Sequence, residues 1–230
     1  MRITDPLVFW VAKNTFFALI PVVLAYTIYW LAGLPGRRVQ LLLKVPVFAL
    51  GMVWLAFLPN TCYLLTEWRH FLATVGYSDL YARWQVDSDA ALRLMTYTFF
   101  YLCYSGMGVL TFTLAVRPIA RLMKKSGATM WIWATPFFAL MSVGVYLGLV
   151  LRFNSWELIG RPGEIWTAVV GISARPTLSS FIIAFAGFLW VAYTAVDIWI
   201  DGFLARWREW LGTPAHQPDI SSPTRTGPPH

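Results

Sequence analysis

Five stretches of this chain run apolar for about the 20 residues that a helix needs to cross ~30 Å of hydrocarbon: Thr15 to Leu34, Val45 to Thr66, Leu94 to Val116, Met130 to Leu151 and Leu178 to Ile200. They are apolar on every face, whereas strands crossing as a barrel would alternate apolar and polar residues. Composition agrees, since 58% of the residues are hydrophobic, only 13% are charged and the mean hydropathy is +0.58. A soluble domain carries about 25% charge. The expectation is an all-α, polytopic transmembrane helix bundle with five spans, one domain over residues 1–211, followed by a Pro-, Ser- and Thr-rich disordered cytoplasmic tail over 212–230. The opening MRITDPLVFWVAKN reads as retained, because the apolar run after Lys13 is too long for a secretory signal and no small-residue cleavage site follows it.

The formal charge of +7 is distributed by side of the membrane. Short basic segments follow the first run (Arg37, Arg38, Lys44) and the third (Arg117, Arg121, Lys124, Lys125), and the tail adds Arg206, Arg208 and Arg225, while Arg69, Arg83 and Arg93 are spread over a long connection. Dense short basic loops stay in the cytoplasm, which sets the N-terminus outside and the C-terminus inside. Each basic residue near an anionic membrane surface contributes about 1 kcal/mol, so membrane lipid is the expected partner. No nucleotide-binding loop or nucleic-acid motif is present. Tryptophans at the ends of the runs, among them Trp10, Trp30, Trp68, Trp131, Trp156, Trp199 and Trp207, fit an interfacial belt. Cys62 and Cys103 lack metal-type spacing and read as buried bystanders, and no cofactor or metal is expected.

Two polar segments interrupt this pattern. In LPNTCYLLTEWRH, a helix restarting at Pro59 places Asn60, Tyr63, Glu67 and His70 at spacings of three, four and three, on one face. In LRFNSWELIGRPG, Arg152, Asn154, Ser155 and Glu157 emerge by the same topology in the same aqueous compartment. Together they make a candidate site of an imidazole, a guanidinium, two acids, amides and a phenol. The alternative is helix ends meeting water, with Asn154 and Glu157 as a capping box. Elsewhere, Asp87 is placed to cap the third span, Gly144 and Gly148 are spaced for close helix packing, and the apolar residues Ile165 to Ile172 are too few to cross. Asp197 and Asp201 are expected to pair with Arg206 and Arg208.

Three patterns in these segments carry a resemblance. Asn14, Ala18 and Pro21 form an Asn-x-x-x-Ala-x-x-Pro opening; Leu58, Pro59, Asn60, Tyr63, Thr66, Glu67 and His70 form Leu-Pro-Asn-x-x-Tyr-x-x-Thr-acid-x-x-His; Gly148, Arg152, Asn154, Ser155, Trp156 and Glu157 match most of Gly-Arg-Phe-x-Arg-x-Asn-Ser-Trp-Asp. The chain resembles the bacterial integral membrane proteins grouped as domain of unknown function 1361. Here Leu149 and Val150 stand where that pattern has Arg-Phe, and both acids are Glu where it has Asp. The resemblance implies a multi-pass protein of a bacterial cytoplasmic (inner) membrane and brings no activity with it.

Three classes of function remain open. The first is an extracytoplasmic-side site that binds or passes a small polar or anionic group or a lipid head group, using Asn60, Tyr63, Glu67, His70, Arg152, Asn154 and Glu157; ionisable groups at membrane depth point to function. The second is a structural, assembly or accessory subunit, docked to a membrane-protein partner or to a second copy, in which these groups form an internal clasp. The third is a membrane-embedded hydrolase or transferase with His70 as general acid or base and Glu67 orienting it. No activated nucleophile or metal signature is apparent, so the reading leans away from an enzyme.

Overall fold

The computed structural model describes residues 5–127, 130–153 and 157–211, and these fold entirely as helices and their connections. In order they are α1 (Asp5–Ala32), α2 (Arg37–Phe57), α3 (Pro59–Thr66), α4 (Trp68–Tyr77), α5 (Leu80–Arg83), α6 (Ser88–Lys125), α7 (Met130–Leu149), α8 (Glu157–Gly160), α9 (Pro162–Ser173) and α10 (Pro176–Trp210). Among the described residues five segments are long and apolar enough to cross a membrane: Phe9–Ala32, Arg37–Tyr77, Ser88–Lys125, Ile132–Leu149 and Pro176–Trp210. Their outward side chains, such as Leu42, Val45, Phe48, Ile183 and Val191, are exposed as lipid-facing residues must be. The protein is an all-α, multi-pass membrane protein. The tail, 212–230, lies outside the described residues.

Local chemistry sets the helix ends. The Asp87 carboxylate accepts from the Asp89 and Ala90 amides at 2.9 and 3.4 Å, capping α6, and Lys124 and Lys125 occupy its last turn, where cations suit the helix dipole. α6 therefore runs past the apolar stretch at both ends. Pro162 and Pro176 open α9 and α10, where a missing N–H costs nothing. Gly36, at φ 106°, turns the chain from α1 into α2.

α6 is the most enclosed span, packed against α1, α3 and α10. The core gathers Trp54, Phe112, Phe138, Val145 and Leu189 from α2, α6, α7 and α10, with Leu58 from the joint between α2 and α3. Glycines let α3 wedge between α6 and α7. A methyl group on Gly108 would stand 2.9 Å from Leu64 Cβ, one on Gly144 would stand 2.7 Å from Pro59 Cγ, and one on Gly148 would overlap the Tyr63 hydroxyl. The Gly144/Gly148 spacing is thus a close-packing face, as expected from sequence. Two cross-helix hydrogen bonds stitch the interior: Trp54 Nε1 donates to the Ala115 carbonyl at 3.0 Å and Ser142 Oγ to the Ile182 carbonyl at 2.9 Å.

These contacts bring the end of α3 and the end of α7 to one end of the bundle, with α4, α5, α8 and α9; this is the Glu67 end. The opposite, Arg117 end holds the last turns of α1, α6 and α10, where Lys125 Nζ donates to the Tyr29 hydroxyl at 3.1 Å. Two sequence expectations change. Asp197 and Asp201 pair with Arg117 and Arg121, not with Arg206 and Arg208, because the latter lack the i+3 or i+4 spacing that brings helix side chains together, while α6 lies alongside α10. Cys62 is buried, but Cys103 is exposed on the outward face of α6.

Candidate functional site

α2, α3 and α4 form one helical run broken twice. At the first break, Pro59 has no N–H to continue the ladder, and the Leu58 carbonyl is taken three residues on by the Thr61 amide and hydroxyl, at 3.1 and 2.8 Å. At the second, Thr66 Oγ1 donates to the Tyr63 carbonyl at 3.0 Å, the acceptor that the Glu67 amide would use in an unbroken helix. The Glu67 carbonyl instead accepts from the His70 amide at 2.9 Å, and Glu67 sits at the joint with φ −70° and ψ −5°.

At this joint the Glu67 side chain turns inward and is only 8% exposed. Asn14 Nδ2, from the first half of α1, donates to its Oε1 at 3.3 Å, and His70 Nε2 lies 3.3 Å from its Oε2. His70 keeps 47% of its side chain exposed, with the Trp10 ring meeting it edge-on at 5.3 Å. Trp10 in turn lies 5.8 Å from the ring of Tyr104, whose buried hydroxyl faces Asn14 and Thr15 of α1. The result is a buried carboxylate behind a half-open imidazole, walled by two aromatic rings. Chemically it can orient an imidazole, exchange a proton through it, or present it to a polar group.

The other sequence-selected residues go elsewhere. Asn60 is half-buried in the first turn of α3, and the Tyr63 hydroxyl lies against Gly148 of α7 rather than beside Glu67. Arg152 is exposed just past α7 in the left-handed region at φ 60°, where the chain folds back so that the Leu151 and Phe153 amides donate to the Tyr146 and Leu147 carbonyls at 3.4 and 3.1 Å. Among the described residues no ion pair joins Arg152 to Glu67 or Glu157. Glu157 begins α8, half-buried, and Asn154 lies outside the described residues. The two polar segments therefore share one end of the molecule but do not form one site: Glu67 and His70 face α1, Tyr63 lies against α7, and Arg152 is exposed just past the end of α7.

Three contributors were not singled out from sequence as site residues: Asn14, Trp10 and Tyr104. A signal existed for the first two. Trp10, Asn14, Ala18 and Pro21 follow one another at spacings of four, four and three, one face of α1, and Ala18 and Pro21 are fully buried.

Among the described residues no three His, Cys, Asp or Glu side chains are gathered to hold a metal ion; Glu67 and His70 supply two donors. A second polar cluster lies at the Arg117 end. Arg117 is 4% exposed, 3.3 Å from Asp197 Oδ1, and bonded to Asp201, which Arg121 also reaches at 2.9 Å. Two cations meet two anions there, and the set is balanced.

No curated protein and no solved structure matches the chain. The comparison that does succeed covers both polar segments and three of the five spans in full: over residues 13–192 the chain matches the family described as Protein of unknown function (DUF1361), and it belongs to that family.

Proposed function

We propose that this is a bacterial inner-membrane protein that binds a small polar or anionic group, or a lipid head group, at the Glu67 end, on the extracytoplasmic side. The observation that carries the reading is the asymmetry of one pair: the carboxylate is 8% exposed and held from α1, while its imidazole partner is 47% exposed. Placing a carboxylate in a low-dielectric interior costs several kcal/mol before compensation, so a buried acid with a half-open histidine is an expensive way merely to end a helix. When protonated, His70 offers an anionic group a cation whose counter-ion, Glu67, is already in place. The orientation is supported by the basic residues Arg37, Arg38, Lys124 and Lys125, which all belong to the opposite end.

A second reading rests on the Asn14–Glu67 hydrogen bond, which spans 53 residues of sequence and ties α1 to the α3–α4 joint. In that reading the cluster is a clasp in a structural or accessory subunit.

Thermal unfolding of the detergent-solubilised protein separates the two. Binding predicts that inorganic phosphate, glycerol phosphate or phosphoethanolamine raises the unfolding temperature. His70→Ala then removes the shift while costing the unliganded protein less than about 1 kcal/mol, as for an exposed side chain. A clasp predicts no shift with any of the three, and a loss of about 1–3 kcal/mol on Glu67→Leu, which strands the Asn14 amide.

A further inference from the structure

One apolar recess is lined by neither Glu67 nor His70. Between α2, α3, α7 and α9 is a cavity of about 400 Å³, within the range of small-molecule pockets. Ala56 and Pro59 form one wall, Leu140 and Leu147 another, and Ile165 and Val169 of α9 lie across it. α2 and α7 meet through the stack of Trp54 on Phe137, ring centroids 6.2 Å apart, and not by close backbone packing, which leaves the seam between them open. A second cavity of about 350 Å³ continues along this seam toward the Arg117 end, sharing Leu55 and Leu140 as walls. The 16-residue stretch of α7 from Trp133 to Gly148 rises ~22 Å, most of the ~30 Å thickness of a hydrocarbon core.

The mouth of the recess at the Glu67 end is chemically different. Phe153 lines both the recess and a basin of about 630 Å³ between the end of α7 and α9, whose wall includes Glu164, Thr167 and Arg175. Glu164 is matched by Arg161 at 3.7 Å. Arg175 lines the basin, and Arg152 stands between Leu151 and Phe153, both on its wall. Neither arginine has an ion-pair partner among the described residues. An oily slot under a mouth lined by Arg175, with Arg152 exposed on the adjoining turn and neither paired among the described residues, complements a molecule with a hydrocarbon chain and a phosphate.

We propose that this recess holds a hydrocarbon chain of an anionic membrane phospholipid, with the head-group phosphate at Arg175 and Arg152. The site uses neither Glu67 nor His70, so it stands or falls apart from the proposed function. The test is native mass spectrometry of the full chain released from nanodiscs containing equal phosphatidylglycerol and phosphatidylcholine. The wild-type chain is expected to retain one phosphatidylglycerol in preference to phosphatidylcholine. Leu140→Trp fills the slot from a position that is 49% exposed and is expected to lower retention at least ten-fold. Arg152→Asn with Arg175→Gln, asparagine being suited to the left-handed backbone, is expected to keep a lipid but reduce the anionic preference about five-fold for each guanidinium removed. A wild-type chain released without lipid, undiminished retention by Leu140→Trp, or an intact preference in the double arginine variant would each overturn the assignment.

Discussion

At the scale of single residues, the site depends on side chains that have one place to go. Glu67 and His70 are three apart, so their approach to 3.3 Å follows from helical spacing, and that contact was legible in the sequence. The Asn14 contact was not, because it joins residues 53 apart and depends on how α1 is rotated against α3. Tyr63 shares a stripe with Glu67, yet its hydroxyl goes to α7 because Gly148 leaves room for it. That packing has a testable consequence. Gly148→Ala is expected to destabilise the protein by about 1–3 kcal/mol through overpacking, and Tyr63→Leu in the same chain to recover most of the loss. Gly108→Ala is expected to cost as much without such a rescue, since the new methyl would stand 3.1 Å from the Leu65 backbone nitrogen, which cannot move by a change of rotamer. Thermal unfolding in detergent measures all three.

At the scale of elements, α6 and α10 outrun their apolar stretches, and the polar turns they add meet each other. Arg117 reads in the sequence as the first residue of a basic loop; in the fold it is buried against Asp197, 80 residues away. Its long apolar stem packs among the helices while its guanidinium reaches acids on α10. Removing one partner strands the other, so Arg117→Met is expected to cost about 3 kcal/mol, and Arg117→Met with Asp197→Leu less than the sum of the two single changes. Asp201→Ala is expected to cost less than about 1 kcal/mol, because its side chain is 59% exposed. A double-mutant cycle by thermal or denaturant unfolding checks the ordering. The joints of the α2–α4 run divide in the same way: the break at Leu58 is announced by Pro59, whereas the break at Glu67 arises from the Thr66 hydroxyl competing for a backbone carbonyl.

For the whole molecule, the paired ends lead to a topology experiment. Gly76 and Gly163 are exposed at the Glu67 end, with open space where a side chain would grow, and Ser126 is exposed at the other. In a Cys103→Ala background, with Cys62 buried, Gly76→Cys and Gly163→Cys are expected to react with a membrane-impermeant maleimide added to intact cells, and Ser126→Cys only after the membrane is opened. Labelling of Gly76→Cys and Gly163→Cys on opposite sides would break the pairing of ends on which both proposals rest. What the sequence determined unaided is that the chain is a helical membrane protein of five crossings, with a proline joint and a capped α6. Those features follow from the solvent preference and backbone chemistry of consecutive residues, which need no partner. Which polar groups meet was decided by the tertiary structure, through the rotation and depth at which each helix packs: Asn14 to Glu67, Arg117 to Asp197, Tyr63 to Gly148. A few tens of degrees of rotation about a helix axis exchange one set of neighbours for another without changing hydrophobicity along the chain, so apolar periodicity carries no record of the choice.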